Sequence, residues 1–357
     1  MRNSTTCYWK RFIKVSLNIK PNIDWDSLGF NVTKTKSMFH STCSLGERWS
    51  GGGLIPYSNI SLSPFAGVLN YGQGVFEGIK AFRSSKGNVV LFRADMNGKR
   101  MAFSTKRICM PEMDPDYFVE AIIKTVKDNI DYVPPYGRGS LYIRPVVWGT
   151  APILGVSPTS EYTFMVIVTP VGPYFKGGIK PLNLKVNTDY HRAAPKGIGN
   201  AKAIGNYSAS LFPLMEAKTE GFDENIFLDA KDEKFVEELG SANVFIYKDG
   251  VLITPALNGS ILGGITRQSV CQVASDILGI KVKETEITID DLLSADEVFC
   301  TGTAVVITPV GKITYRGTTT EINQNQMGPI AKKIREMLVG IQRQEIEDPF
   351  GWVLPVK

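Results

Sequence analysis

Apolar and polar positions along the chain follow two different periods, and the elements they predict are interleaved. Ala81 to Arg83 and Asn88 to Phe92 flank a Ser-Lys-Gly turn and predict a hairpin. Ser140 to Trp148 predicts a further strand, and Tyr162 to Thr169 is a continuous apolar run of the kind buried on both faces. Helical period appears from Met96 to Ile108 and from Asp116 to Ile130, where Phe118, Ala121, Ile122, Val126 and Ile130 recur at steps of three and four. The Gly51-Gly52-Gly53 run reads as a loop ahead of the first strand.

Beyond Pro170 the pattern stops. The stretch PVGPYFKGGIKP, from 170 to 181, packs three prolines and three glycines into a dozen residues, which is the composition of a connection. The periods then resume. Strands are expected at Leu182 to Asn187, Asn225 to Leu228, Asn243 to Tyr247, Val251 to Thr254 and Glu297 to Cys300, and Lys248-Asp249-Gly250 reads as a hairpin turn. Helices are expected at about Tyr207 to Thr219, Arg267 to Leu278 and Met327 to Gln342. The expected organisation is therefore an N-terminal extension over 1–45, a small α+β domain over 46–170, a linker over 171–181 and a larger domain over 182–357.

Composition narrows the function. The chain has 357 residues, 43% of them hydrophobic and 21% charged, which suits a soluble two-domain protein. The net charge of +5 is concentrated at one end: Arg2, Lys10, Arg11, Lys14 and Lys20 precede the first acid, Asp24. Without these five cations the 40 Lys+Arg become 35 and match the 35 Asp+Glu, so the folded body carries no basic footprint for nucleic acid. The basic, acid-free segment over 1–20 fits either a mitochondrial targeting segment or a solvated tail, which places the protein in the cytoplasm or the mitochondrion. No run approaches the roughly 18 apolar residues of a membrane span. Five cysteines without a CxxC spacing point to reduced thiols, and with only His40 and His191 present neither a metal site nor a histidine-based triad is expected.

Catalysis is then sought among Lys, Arg, Glu, Tyr and Thr. Gly197 to Tyr207 reads GIGNAKAIGNY, a single lysine among small and apolar neighbours. Partial desolvation favours a neutral, nucleophilic amine, which makes Lys202 a candidate Schiff-base lysine, with Lys196 beside Pro195 as its competitor. Three other segments complete the requirements of a pyridoxal-phosphate enzyme: an acid for the ring nitrogen and a cradle for the phosphate. Glu237-Glu238-Leu239-Gly240 offers the carboxylate, Gly263-Gly264-Ile265-Thr266 opens a helix with free amides, and Thr301-Gly302-Thr303-Ala304 is a second loop rich in hydroxyls. For the cation, Arg93, Arg100 and Arg107 lie seven apart on one expected helical face, and spacing alone does not choose among them.

The ordered motifs YGQGVFEGIKAFR (Tyr71 to Arg83), LFRADMNGKRM (Leu91 to Met101), LYIRP (Leu141 to Pro145), RAAPKGIGNAKAIGNY (Arg192 to Tyr207), EELGSANVF (Glu237 to Phe245), ILGGITRQS (Ile261 to Ser269) and GTAVVITPV (Gly302 to Val310) resemble the branched-chain aminotransferases. The similarity runs from about Leu54 to Arg343. It implies the two-domain fold of the type IV pyridoxal-phosphate enzymes, the fold of the D-amino-acid aminotransferases, here α+β in the first half and α/β in the second. It implies reversible transamination of leucine, isoleucine and valine with 2-oxoglutarate, through an internal aldimine on Lys202 that then shuttles the substrate proton. Glu238 would pair with the pyridine nitrogen, and Arg100, Tyr207, Ile265, Thr266 and Thr303 would hold the phosphate.

On the substrate side the resemblance implies Tyr71, Phe76, Gly78, Tyr142, Arg144 and Ala304: aromatic surface for an aliphatic side chain and polar donors for the carboxylate. A homodimer acting on small amino and 2-oxo acids is implied as well, with neighbouring subunits completing each other's pockets. Some relatives carry a CxxC pair after the Gly-Thr-Ala turn; Val305-Val306-Ile307-Thr308 stands there instead, so thiol regulation is not expected, and Cys300 reads as a buried structural thiol. Three other readings compete: a D-amino-acid aminotransferase or aminodeoxychorismate lyase on the same fold, a non-catalytic cofactor carrier, and a cofactor-free lysine aldolase.

Overall fold

The computed structural model describes residues 21–172 and 178–356. The basic segment over 1–20 and part of the expected linker lie outside these residues. Within them two sheets organise the chain.

The first sheet has eight strands. Ser140–Gly149 and Glu161–Val171 form its centre, paired antiparallel over ten residues, with Ile79–Arg83 and then Val89–Phe92 on one side. Both hairpin strands lie where the sequence places them. Helices Ala94–Arg107 and Pro115–Asp128 cover one face, and Phe118, Ile122 and Met101 pack with Phe164, Leu91 and Ile143 into a single core. Asp114 caps the second helix by accepting from the Asp116 and Tyr117 amides, and Pro115 at the first position needs no amide partner.

Two sequence expectations are corrected in this sheet. The expected extension over 1–45 contains Ser37–Ser44, a strand paired with Glu161–Val171 on one side and Gly53–Pro56 on the other, so it belongs to the sheet interior and precedes the glycine run. Its letters, SMFHSTCS, hide the alternation behind small hydroxyl residues, two of which, Ser37 and Ser41, are buried all the same. The chain also does not finish in the second half: Val353–Pro355 returns to pair with Val89–Phe92.

The second sheet has nine strands. Val236–Leu239, Glu224–Leu228, Leu182–Val186, Val306–Tyr315, Glu297–Gly302 and Asn243–Lys248 follow one another, and pairing of the first with the last closes them into a ring. Inward residues such as Leu184, Ile226, Val244, Val298 and Ile313 fill its interior. The outer face is covered by helices Ile265–Gln272 and Pro329–Gln342, which pack Val270, Ile334, Leu338 and Ile341 on Phe245, Phe299 and Ile307. The Asp249-Gly250 turn has both residues in the left-handed region, as a two-residue hairpin requires.

The single helix expected from Tyr207 to Thr219 is two, Ile204–Ala209 and Leu211–Thr219. Pro213 has no amide to bond the carbonyl of Ala209, so the helical ladder breaks between them. The helix expected to reach Leu278 ends at Gln272 and continues as a single π turn, Val273–Ile277.

Candidate active site

The Gly197-to-Ala203 segment crosses from the second half to the first: Val75 forms an isolated bridge with Ala203, and the Phe76 amide donates to the Lys202 carbonyl at 3.1 Å. The Lys202 amide in turn donates to Ser104 Oγ at 3.0 Å. These bonds fix the backbone of Lys202 between the two sheets. Its Nζ lies 2.6 Å from the Tyr207 hydroxyl, over the rings of Phe76 at 4.6 Å and Tyr207 at 4.9 Å. Lys196 is exposed on a left-handed backbone position and points to no such cluster.

Strand alternation separates the two adjacent acids. Glu238 faces the cleft, whereas Glu237 turns away to Ser260 and Asn258. Glu238 is almost completely buried, accepts from the Leu262 amide at 2.9 Å and from Asn243 Nδ2 at 3.1 Å, and pairs with buried Arg192 at 2.6 Å. Burial pushes its carboxyl up to about 7, against the opposing pull of Arg192 and the Leu262 amide. Desolvation outweighs the ion pair here, so a further cationic partner in the cleft would be welcomed. Arg192 and Asn243 carry this acid and were not among the residues singled out by chemistry, although both stand inside recognised motifs.

The three arginines separate in the same way. Arg93 precedes its helix in the left-handed region, stacks on Trp352 at 4.7 Å and donates to Ser269. Arg107 is held at the surface by the carbonyls of Lys196 and Gly197. Only Arg100 enters the cleft, where buried Glu77 grips it with two bonds of 2.7 and 2.8 Å and Nη1 donates to the Gly263 carbonyl at 3.1 Å. Glu77 is a functional neighbour that sequence reasoning missed; a lone glutamate in a Gly-rich strand gives no period-based signal.

Arg100, Lys202, Glu238, Ile265, Thr266 and Thr303 line one cleft. Gly264 precedes the helix, and a side chain there would strike Asn243. The first amides of Ile265–Gln272 have no acceptor within the helix. Thr301 Oγ1, also on this cleft, is buried without a hydrogen-bond partner. A cation, free helix amides and a hydroxyl beside a buried carboxyl and an amine are the groups that pyridoxal phosphate needs.

The substrate-side residues divide. Phe76 stands 4.7 Å from the Tyr207 ring, Arg144 lies over Phe76 at 4.8 Å and donates to the Tyr142 hydroxyl at 3.0 Å. Gly78 faces that hydroxyl so closely that a Cβ would stand 2.5 Å from it. Ala304 sits on the turn after Glu297–Gly302, and its carbonyl accepts from Lys80 Nζ at 2.8 Å. Tyr71 does not join them. It is 41% exposed and donates to the Leu154 carbonyl, beside a separate opening lined by Gln73, Val156 and Ala203.

Fold and cleft define a pyridoxal-phosphate-dependent transferase. Residues 74–313 match the family of class IV aminotransferases. The chain is 46% identical to branched-chain amino acid aminotransferase 2, chloroplastic, of Humulus lupulus, over 93% of this chain and 81% of that protein. It is 45% identical to the mitochondrial branched-chain amino acid aminotransferase 1 of the same plant, over 99% and 91%. Among solved structures it is similar to the Escherichia coli branched-chain amino acid aminotransferase, with a TM-score of 0.78 and 31% identity over 91% of this chain and all of that one. It is also similar to the branched-chain amino acid aminotransferase of Thermobaculum terrenum in its PLP-bound holo-form, with a TM-score of 0.78 and 25% identity over 91% and 99%. The chain belongs to the class IV aminotransferases, on the branch of the branched-chain amino acid aminotransferases.

Proposed function

We propose that the protein reversibly moves the amino group of leucine, isoleucine or valine to 2-oxoglutarate, with Lys202 as its catalytic base. The observation that carries this reading is the Lys202 amine, 2.6 Å from Tyr207 and over Phe76, in the same cleft as Glu238 and Arg100. Bound pyridoxal phosphate supplies an electrophilic aldehyde and an electron-withdrawing ring. The Lys202 amine would hold the cofactor and, once released, would take the proton from the substrate Cα and deliver it to the cofactor's former aldehyde carbon. Glu238, backed by Arg192 and Asn243, keeps a proton on the ring nitrogen. Arg100, aimed by Glu77, holds the phosphate together with the Ile265 and Thr266 amides, Thr303 and Tyr207. Phe76 and Tyr142 exclude water from the aliphatic side chain, while Arg144 and the Ala304 amide orient the carboxylate.

The division at 171–181 into a small and a large domain, with the cleft between them, is part of the same reading. So is a homodimer. Leu154 and Val156 are 80% and 89% exposed, and exposed Phe65 and Tyr71 are tied to the same loop through the Ile153 amide and the Leu154 carbonyl, an exposed apolar cluster of the kind that marks an interface. A second copy would cover it and bring Tyr71 to a substrate pocket. Among the described residues no helix is long and apolar enough to cross a membrane. The similar plant proteins are named chloroplastic and mitochondrial, and we assign the segment over 1–20 to organelle targeting on its charge.

The test is an assay of purified protein with a panel of L- and D-amino acids and 2-oxoglutarate, followed at the cofactor absorbance. L-Leucine, isoleucine and valine should lead, and Lys202→Ala should abolish turnover and the Schiff-base absorbance while the protein stays folded. Faster turnover of D-alanine, or an active Lys202→Ala variant, would overturn the assignment.

A further inference from the structure

A second cavity of about 540 Å³ lies against Ala304, Val305 and Val306, on the turn whose Gly302 and Thr303 line the cleft described above. Among the described residues three cations line it: Lys80, Arg335 and Arg343. Little among the described residues balances them. Asp26, also on the lining, is occupied by Arg138 at 2.5 Å. Glu345 accepts from the Tyr136 hydroxyl and reaches Arg343 only at 3.9 Å, and Glu336 acts on Arg335 without forming an ion pair. Arg335 Nε is buried with no hydrogen-bond partner. Burial above all, and after it Arg343 and Arg335, push the Lys80 amine down to about 8.

Three separate pieces of chain run from this cavity to the substrate residues. Lys80 lies two residues after Gly78, which abuts Tyr142 just ahead of the strand, and is itself paired in register with Tyr142. Asp26 and Leu28 line the cavity, and Phe30 meets the Tyr142 ring at 5.5 Å. Ala304 and Val305 form the third wall, with Lys80 bonded to the Ala304 carbonyl.

We propose that this cavity is the entrance for substrate anions, and that Lys80, Arg335 and Arg343 make it select the dicarboxylate co-substrate over monocarboxylates. The proposal rests on the transaminase reading, in which one pocket must take both an aliphatic 2-oxo acid and 2-oxoglutarate. A local positive potential enters the binding constant through a Boltzmann factor that is exponential in ligand charge. If removing one guanidinium weakens a monoanion by a factor f, it weakens a dianion by about f². Selectivity for the dianion therefore needs no contact specific to its second carboxylate, only uncompensated charge near its path.

The test uses two unreactive probes, glutarate and 4-methylvalerate, titrated calorimetrically into the cofactor-loaded enzyme at low and high salt. The variants are Arg335→Gln, Arg343→Gln and the charge-keeping Arg343→Lys. In the wild type glutarate binding should fall more steeply with salt than 4-methylvalerate binding. Each Gln variant should bind glutarate about fourfold or more weakly and 4-methylvalerate about twofold or less, with a shallower salt dependence for glutarate, and Arg343→Lys should behave as wild type. Equal losses for the two probes, or none, would overturn the proposal. So would an Arg343→Lys variant as weak as Arg343→Gln, since that makes the effect one of packing. Because the probes are not turned over, their ratio stands whatever the amino-acid panel shows; failure of leucine as a substrate would overturn the transaminase reading instead.

Discussion

Glu238 illustrates how little of a residue's role is written in its own letter. It and Glu237 are adjacent and chemically identical, yet one reaches the cleft with a cation behind it and the other bonds to a serine and an asparagine. Replacing Glu238 with Gln keeps the shape and the Leu262 bond but removes the charge that, in the proposed role, would hold a proton on the ring nitrogen. Glu238→Gln should retain cofactor with a shifted absorbance and lose catalytic rate by about two orders of magnitude or more, read by single-turnover kinetics. Gly78→Ala tests the opposite wall. The added methyl must displace the Tyr142 phenol from Arg144, an overpacking worth about 1–3 kcal/mol. The expected result is a raised KM for leucine with the cofactor spectrum unchanged, because the proposed role of Tyr142 is toward the substrate.

At the scale of elements, most strands and helices stand where period and turn chemistry put them, and the exceptions have local causes. The 140-to-171 pair and the helix from Pro115 are fixed by strong periodicity and a capping aspartate. Ser37–Ser44 escaped because small polar side chains are buried when a strand lies between two others, a fact about its neighbours. The helix Pro329–Gln342 shows a tertiary cap. No side chain of its own covers its start; instead Glu297, from a neighbouring strand and 4% exposed, accepts from the Ile330 and Ala331 amides at 2.9 Å each. These are charge-assisted bonds at the positive end of a helix. Glu297→Ala should cost about 2–3 kcal/mol of stability in urea unfolding, without changing the substrate ranking.

For the molecule as a whole, the cationic cavity beside the phosphate turn has an energetic signature. Lys80 titrates at about 8 in the folded protein against 10.5 as its ordinary value. Between those pH values the unfolded chain binds more protons, so stability rises with pH across that window, and below it the full cost of the buried charge is present. Lys80→Met should therefore stabilise the protein at neutral pH, by less than about 3 kcal/mol because the bond to Ala304 is lost as well. The gain should shrink as pH rises through the window. Melting temperatures of the two proteins across that range provide the check; a difference independent of pH would mean that Lys80 carries no uncompensated charge.

The chemistry on offer was legible in the order of amino acids alone: one lysine in a small-residue segment, an acid beside a glycine turn, two amide-rich loops, and too few histidines for a metal or a triad. Most elements were legible there too, because hydrophobic period and turn residues act over a few neighbours. Residue spacing by itself left two matters to the motif resemblance and the folded chain, which of three equally spaced arginines enters the cleft and which of two glutamates is buried against an arginine; that Tyr71 looks outward came from the folded chain alone. Such outcomes depend on groups far apart in the chain, Arg100 and Gly263 among them, meeting across two sheets, and no local period carries that information.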